Sequence, residues 1–133
     1  MENQSDINRE VVKRGYKAFN EADISTLAEL FDDNCTWHSP GRNSYAGDFI
    51  GKEAVFSLFG HYGGDTGGHF NAELKHVLIC DHNKAVGIHH VTAMRNKKML
   101  DVWCCIYFEL KDGKIISGRE HFFDLYAWDE FWA

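Results

Sequence analysis

Residues 69 to 123 carry four runs in which apolar and polar residues tend to alternate, separated by short polar turns. The runs span 69–80, 84–95, 99–110 and 114–123, and Asn83-Lys84, Asn96-Lys97 and Asp112-Gly113 stand at the breaks. Period-two alternation places successive side chains on opposite faces of a strand. Asn- and Asp-led pairs are the preferred corners of tight hairpins. Four long strands joined in this way form an antiparallel meander, and one face of it must be covered by the rest of the chain.

The upstream half supplies that cover. Ser5-Asp6 with Arg9-Glu10 marks a helix start, and Ile7, Val11, Val12, Tyr16 and Phe19 recur at helical spacing up to Asn20. After "EADIS", either Asp23 or Ser25 caps a second short helix with Leu27, Leu30 and Phe31 on its apolar side. "CTWHSP" is a short strand stopped by Pro40 and Gly41, and "GRNSYAGDFIG" is a loop. From Lys52, a third helix turns Ala54, Val55, Leu58, Phe59 and Tyr62 inward, and "GGDTGG" ends it. Three helices followed by a meander make an α+β layout. The sheet curves around the helices in a single domain spanning 1–133, which suits the chain's 133 residues.

Charge and composition exclude several function classes. The net charge is −6 and the basic residues are scattered, so nucleic acid is not an expected partner. No apolar run approaches the ~18 residues of a membrane span. The opening "MENQSDINRE" has no apolar signal core, which makes the cytoplasm the expected location. The cysteines, Cys35, Cys80, Cys104 and Cys105, form no CxxC pair, and the eight histidines show no HxH or HExxH spacing. Neither a metal nor an organic cofactor is expected. Ten Phe, five Tyr and four Trp exceed what a minimal core needs, and the excess suits a cavity wall or a partner surface.

The alternation also assigns faces. In the third long strand Leu100, Val102, Cys104, Ile106, Phe108 and Leu110 face the core. Asp101, Trp103, Cys105, Tyr107 and Glu109 face out. In the strand before it, the more apolar set is Val86, Ile88, His90, Thr92 and Met94, which places His90 and Thr92 inside. There His90 is either a satisfied core histidine or a group that meets a ligand. The last strand divides into Ile116, Gly118, Glu120 and Phe122 against Ile115, Ser117, Arg119, His121 and Phe123. If the first set faces inward, Glu120 is a carboxylate in an apolar cavity, and burial raises its pKa. Gly118 then leaves ligand space beside it.

Three stretches, "YKAFNEADISTLAELFDDNCTWHSPG", "GKEAVFSLF" and "YFELKDGKIISGREHFFD", resemble the nuclear transport factor 2-like superfamily. Within it, the SnoaL-like polyketide cyclases and the ketosteroid isomerases are the most similar branch. The resemblance covers roughly residues 7 to 124. It implies a cone-shaped curved antiparallel sheet closed by three N-terminal helices, a cystatin-like α+β barrel with a deep apolar pocket. It also implies a homodimer through the outer sheet face, here Trp103, Tyr107 and His121. The ketosteroid isomerase residues are absent: in that register their positions hold Gly15, Ser39 and Ile106. The Asp-Arg-Asp set of the epoxide hydrolases does not assemble on inner positions either.

The resulting expectation is a protein that binds a small apolar molecule in a conical pocket. It acts as a cofactor-independent isomerase, cyclase or hydrolase by general acid–base chemistry, or it only binds. Candidate catalytic groups are Glu120, His90, Asp124 and His38. Candidate ligand contacts are Trp37, Ser39, Tyr16, Phe59, Thr92, Phe108 and Phe122. The C-terminal "DLYAWDEFWA" covers the mouth or docks on the outer wall, anchored by Tyr126, Phe131 and Trp132.

Overall fold

The computed structural model describes residues 3–133. Its elements run α1 (Gln4–Asn20), α2 (Ile24–Leu30), β1 (Phe31–Ser39), β2 (Gly47–Ile50), α3 (Lys52–Gly64), β3 (Phe70–Asp81), β4 (Lys84–Arg95), β5 (Lys98–Lys111), β6 (Lys114–Phe122) and α4 (Leu125–Trp132). The strands form one six-stranded sheet in the order β2-β1-β6-β5-β4-β3. The α+β class and the meander from β3 to β6 are as the sequence implies. One pairing is not antiparallel: β1 runs parallel to β6, with Trp37 opposite Gly118. The chain passes through α3 and the meander before β6 returns beside β1, and such a crossover permits a parallel pair.

Local chemistry explains the boundaries. Asn3 caps α1 by accepting from the Asp6 amide at 2.9 Å, and Asp23 caps α2 by accepting from the Thr26 amide and hydroxyl. Phe31, expected on the second helix, opens β1 instead. Residues 47–50, expected as loop, pair with Thr36–Ser39 as the edge strand β2. The hairpin corners at Asn96-Lys97 and Asp112-Gly113 have positive φ at both positions, the geometry of tight two-residue turns.

Helix α1 lies across the concave face and is fastened to β3. The Asn20 side chain donates to the Ala72 carbonyl at 2.8 Å and accepts from its amide at 2.9 Å, and Arg9 donates to the Val77 carbonyl at 2.7 Å. Helix α4 docks at the other end of the sheet. Arg95 and Lys98 donate to the Phe131 and Glu130 carbonyls, and Asp129 accepts from the Arg42 amide and the Asn43 side chain. Its anchors are Trp128, Phe131 and Trp132. Tyr126, expected among them, is 89% exposed.

Two strands depart from simple alternation. The inner set of β4 is Ala85, Gly87, His89, Val91 and Ala93, the reverse of the sequence expectation. Apolar character favoured Val86 and Ile88, but α1 approaches too closely for large side chains. A Cβ on Gly87 would stand 2.8 Å from the Tyr16 hydroxyl. In β6 a bulge between Ser117 and Ile115 changes the phase, so the inner positions are Ile115, Gly118, Glu120 and Phe122.

Candidate functional site: a buried carboxyl and a buried imidazole in an aromatic cone

The concave face encloses a cavity of about 60 Å³, walled by aromatic rings from α1, β1, α3, β3, β5, β6 and α4. Two polar poles break the apolar lining.

The first pole is Glu120, 4% exposed. The Trp37 indole N–H donates to its Oε2 at 2.8 Å. The Tyr62 hydroxyl lies 3.3 Å from both carboxyl oxygens. Ser39 Oγ stands 3.0 Å from the same hydroxyl, so with Tyr62 donating to Glu120, Ser39 donates to Tyr62. Burial pushes the Glu120 carboxyl up to about 7, against the pull of the Trp37 and Tyr62 donors. Trp37 is held edge-on by Phe59 at 4.9 Å and Phe108 at 6.0 Å.

The second pole is His89, also 4% exposed, whose Nδ1 lies 2.6 Å from the Tyr16 hydroxyl. Burial, and then the charge of His90, push the His89 imidazole down to about 4, so it is neutral at physiological pH. Burial raises Tyr16 well above its ordinary value, so it stays a phenol. With the imidazole proton on Nε2, this hydroxyl donates to Nδ1. In that tautomer the Nε2–H has no protein acceptor among the described residues.

The two poles stand on adjacent register rows of the inner face. Gly87, Ile106 and Glu120 lie in register across β4, β5 and β6, and His89, Cys104 and Phe122 form the next row. Their strands are two spacings apart, about 10 Å at the backbone. A carboxyl able to take or give a proton near neutrality, in one cavity with a neutral imidazole, suits proton transfer on a small molecule held there.

Of the residues expected in the site, Glu120, Trp37, Tyr16, Phe59, Phe108 and Phe122 line the cavity. Ser39 is buried behind Tyr62 and reaches the cavity only through it. Four residues lie elsewhere. His90 is on the outer face, 2.5 Å from Asp101 and stacked on Trp103, because β4 takes the opposite phase. Thr92 is exposed on the same face. His38 alternates with Trp37 and Ser39, so it turns away from the cone to meet Asp48 at 2.7 Å. Asp124 is the exposed N-cap of α4, accepting from the Ala127 amide at 3.1 Å. The space beside Gly118, expected to receive ligand, is filled by the Trp37 ring.

His89 and Tyr62 are the polar groups of the cavity wall that the sequence reading did not place among the candidate site residues. The signal for His89 was the small-residue run Ala85, Gly87, Ala93 on its side of the strand, which marks a face under a close helix.

Residues 12–118 match the profile of the SnoaL-like domain. Among solved structures, Bal32a from a soil-derived mobile gene cassette is 59% identical, with a TM-score of 0.97 over 98% of this chain and 100% of that one. A Xanthomonas campestris protein of unknown function with a cystatin-like fold is 20% identical, with a TM-score of 0.88 over 95% of this chain and 98% of that one. An uncharacterised protein of Mycobacterium tuberculosis is 27% identical over 128 residues, 96% of this chain and 98% of its own length.

Proposed function

Because the chain belongs to the SnoaL-like domain family, we propose that it moves a proton at a carbon next to a carbonyl group in a small, mostly apolar substrate, without an organic cofactor. The observation that carries this reading is the Glu120 carboxyl, buried among aromatic rings and poised at about 7.

In the proposed reaction the Glu120 carboxylate takes the proton from the carbon. The C–H electrons form a carbon–carbon double bond, and the carbonyl π electrons move to the oxygen. The His89 Nε2–H donates a hydrogen bond to that oxygen, and Tyr16 holds the imidazole in the required tautomer. A neutral imidazole does this without surrendering its proton. The protonated Glu120 then returns the proton to the same or a neighbouring carbon. Aromatic walls exclude water, so the developing charge is felt strongly by the few dipoles present.

One observation favours a second reading, binding without turnover. Trp37 and Tyr62 already satisfy Glu120, which a purely structural carboxyl would also require.

Deuterium uptake at the α-carbons of cyclohexanone in heavy water, followed by NMR, separates the two. The enzyme reading expects exchange above buffer, lowered about 100-fold or more in Glu120→Gln. Binding of cyclohexanone with exchange no faster than buffer would leave the second reading standing.

A further inference from the structure

Helix α4 brings a third polar group to the cavity. Trp128 lines it and is fully buried, yet its indole Nε1–H has no hydrogen-bond partner among the described residues. Every aromatic contact of the ring is apolar or edge-on. Phe122 stacks on it at 4.0 Å, and Tyr62, Trp132 and Phe70 meet it at 5.4, 5.6 and 6.2 Å. A buried donor left unpaired is costly, and a phenylalanine would fill an apolar wall without that cost. Trp132 carries a second unpaired Nε1–H, but it does not line the cavity, and Arg95 lies over its ring.

Trp128 also sits close to the proposed chemistry. It stacks on Phe122, two residues from Glu120 on the same face of β6, and it abuts Tyr62, which reaches the Glu120 carboxyl. The register row of Phe122 is also that of His89. Besides the His89 imidazole, the cavity wall thus carries a second nitrogen group, the Trp128 indole N–H, which has no protein partner among the described residues and is contributed by a different element.

We propose that the Trp128 indole N–H is a specificity determinant that receives a second oxygen of the ligand, so the substrate class is small cyclic compounds with two acceptor oxygens on one apolar frame. This rests on reading the cavity as the ligand site. His89 takes the oxygen at the reacting end, and Trp128 takes the oxygen at the α4 end.

Cyclohexane-1,4-dione and cyclohexanone, which differ by one carbonyl oxygen, provide the test. With ¹⁵N-labelled protein, the dione is expected to move the Trp128 indole N–H resonance downfield at saturation, and cyclohexanone is not. Trp128→Phe is expected to weaken the dione about tenfold, the worth of one hydrogen bond to a buried donor, while leaving cyclohexanone within about twofold. Trp132→Phe should leave the ratio between the two ligands unchanged. An indole resonance that does not respond to the dione overturns the proposal on the wild-type protein alone, even if the variant does not fold. Equal weakening of both ligands overturns it as well. Dione binding through Trp128 without α-carbon exchange would sink the catalytic reading and leave this one standing. Exchange dependent on Glu120 with a silent Trp128 would do the reverse.

Discussion

The indole of Trp37 occupies the volume that a side chain at Gly118 would need: a Cβ there would stand 2.1 Å from the ring. The two residues are parallel-strand partners, and the glycine lets the ring lie flat over β6 with its N–H on Glu120. Gly118→Ala should therefore push Trp37 away, with a loss of about 1–3 kcal/mol from overpacking. It should also raise the Glu120 pKa further, since the largest lowering influence is removed. Thermal unfolding and carboxyl-carbon NMR titration of Glu120 read the two effects. An unchanged titration would mean that the indole keeps its hydrogen bond.

The same device recurs at the other pole. Gly87 faces Tyr16, and a Cβ would lie 2.8 Å from its hydroxyl and 3.2 Å from Phe108. Gly87→Ala should displace the phenol from His89 and relax the tautomer it imposes. Nitrogen NMR of the imidazole is expected to show protonated Nε2 in the wild type and a mixture in the variant. A wild-type ring already mixed would contradict the assignment of Tyr16 as donor.

Opposed linkages predict an unusual pH profile of stability. Glu120 sits at about 7 in the fold against an ordinary 4.5, so the folded state binds more protons and loses stability as pH rises through that window. His89 sits at about 4 against 6.5, so its neutral form supports the fold above 6.5 and that support is lost as pH falls toward 4. Each window is worth roughly 3 kcal/mol at ~1.4 kcal/mol per unit. The two slopes have opposite sign and overlap between 4.5 and 6.5, where they offset each other. Wild-type stability should be nearly flat there. Glu120→Gln should uncover stability rising with pH, and His89→Gln should uncover stability falling with pH. Urea titrations at several pH values test this, and parallel profiles for all three proteins would refute it.

The pH dependence of exchange follows from the same carboxyl. As a base, Glu120 acts when ionised, so cyclohexanone exchange should rise through about pH 7 and then level off. Tyr62→Phe removes one donor to the carboxylate and should shift that rise to higher pH. A rise that stays in place would show that Tyr62 does not reach the titrating group.

On the convex face, Trp103 is 39% exposed, stacked on His90 at 5.3 Å and on Phe123 at 6.4 Å, with Phe123 itself 66% exposed. We propose that a second copy covers this face around Trp103, Tyr107 and His121, since so aromatic a surface is costly in water. Sedimentation at micromolar concentration should give a dimer, and Trp103→Glu should give a monomer with the fold intact. A wild-type monomer would end this proposal.

Much of this protein was legible in the chain. The helical spacing from Ile7 to Phe19, the turn residues at 96–97 and 112–113, and the inner row Leu100 to Leu110 are local patterns, and the structure follows them. Glu120 was identifiable as a candidate because Gly118 and Phe122 share its phase. What a local pattern does not contain is the volume waiting on the other side of a strand. In β4 the larger residues looked like core, but Tyr16 on α1, distant in sequence, needs Gly87 beneath it, so the small set turns inward and takes His89 with it. The β6 bulge, the parallel pairing with β1 and the Trp37 and Tyr62 donors to Glu120 arise in the same way. Alternation divides each strand into two faces, but which face is buried is decided by the shape of what packs against it, and that partner is brought there only by the tertiary fold.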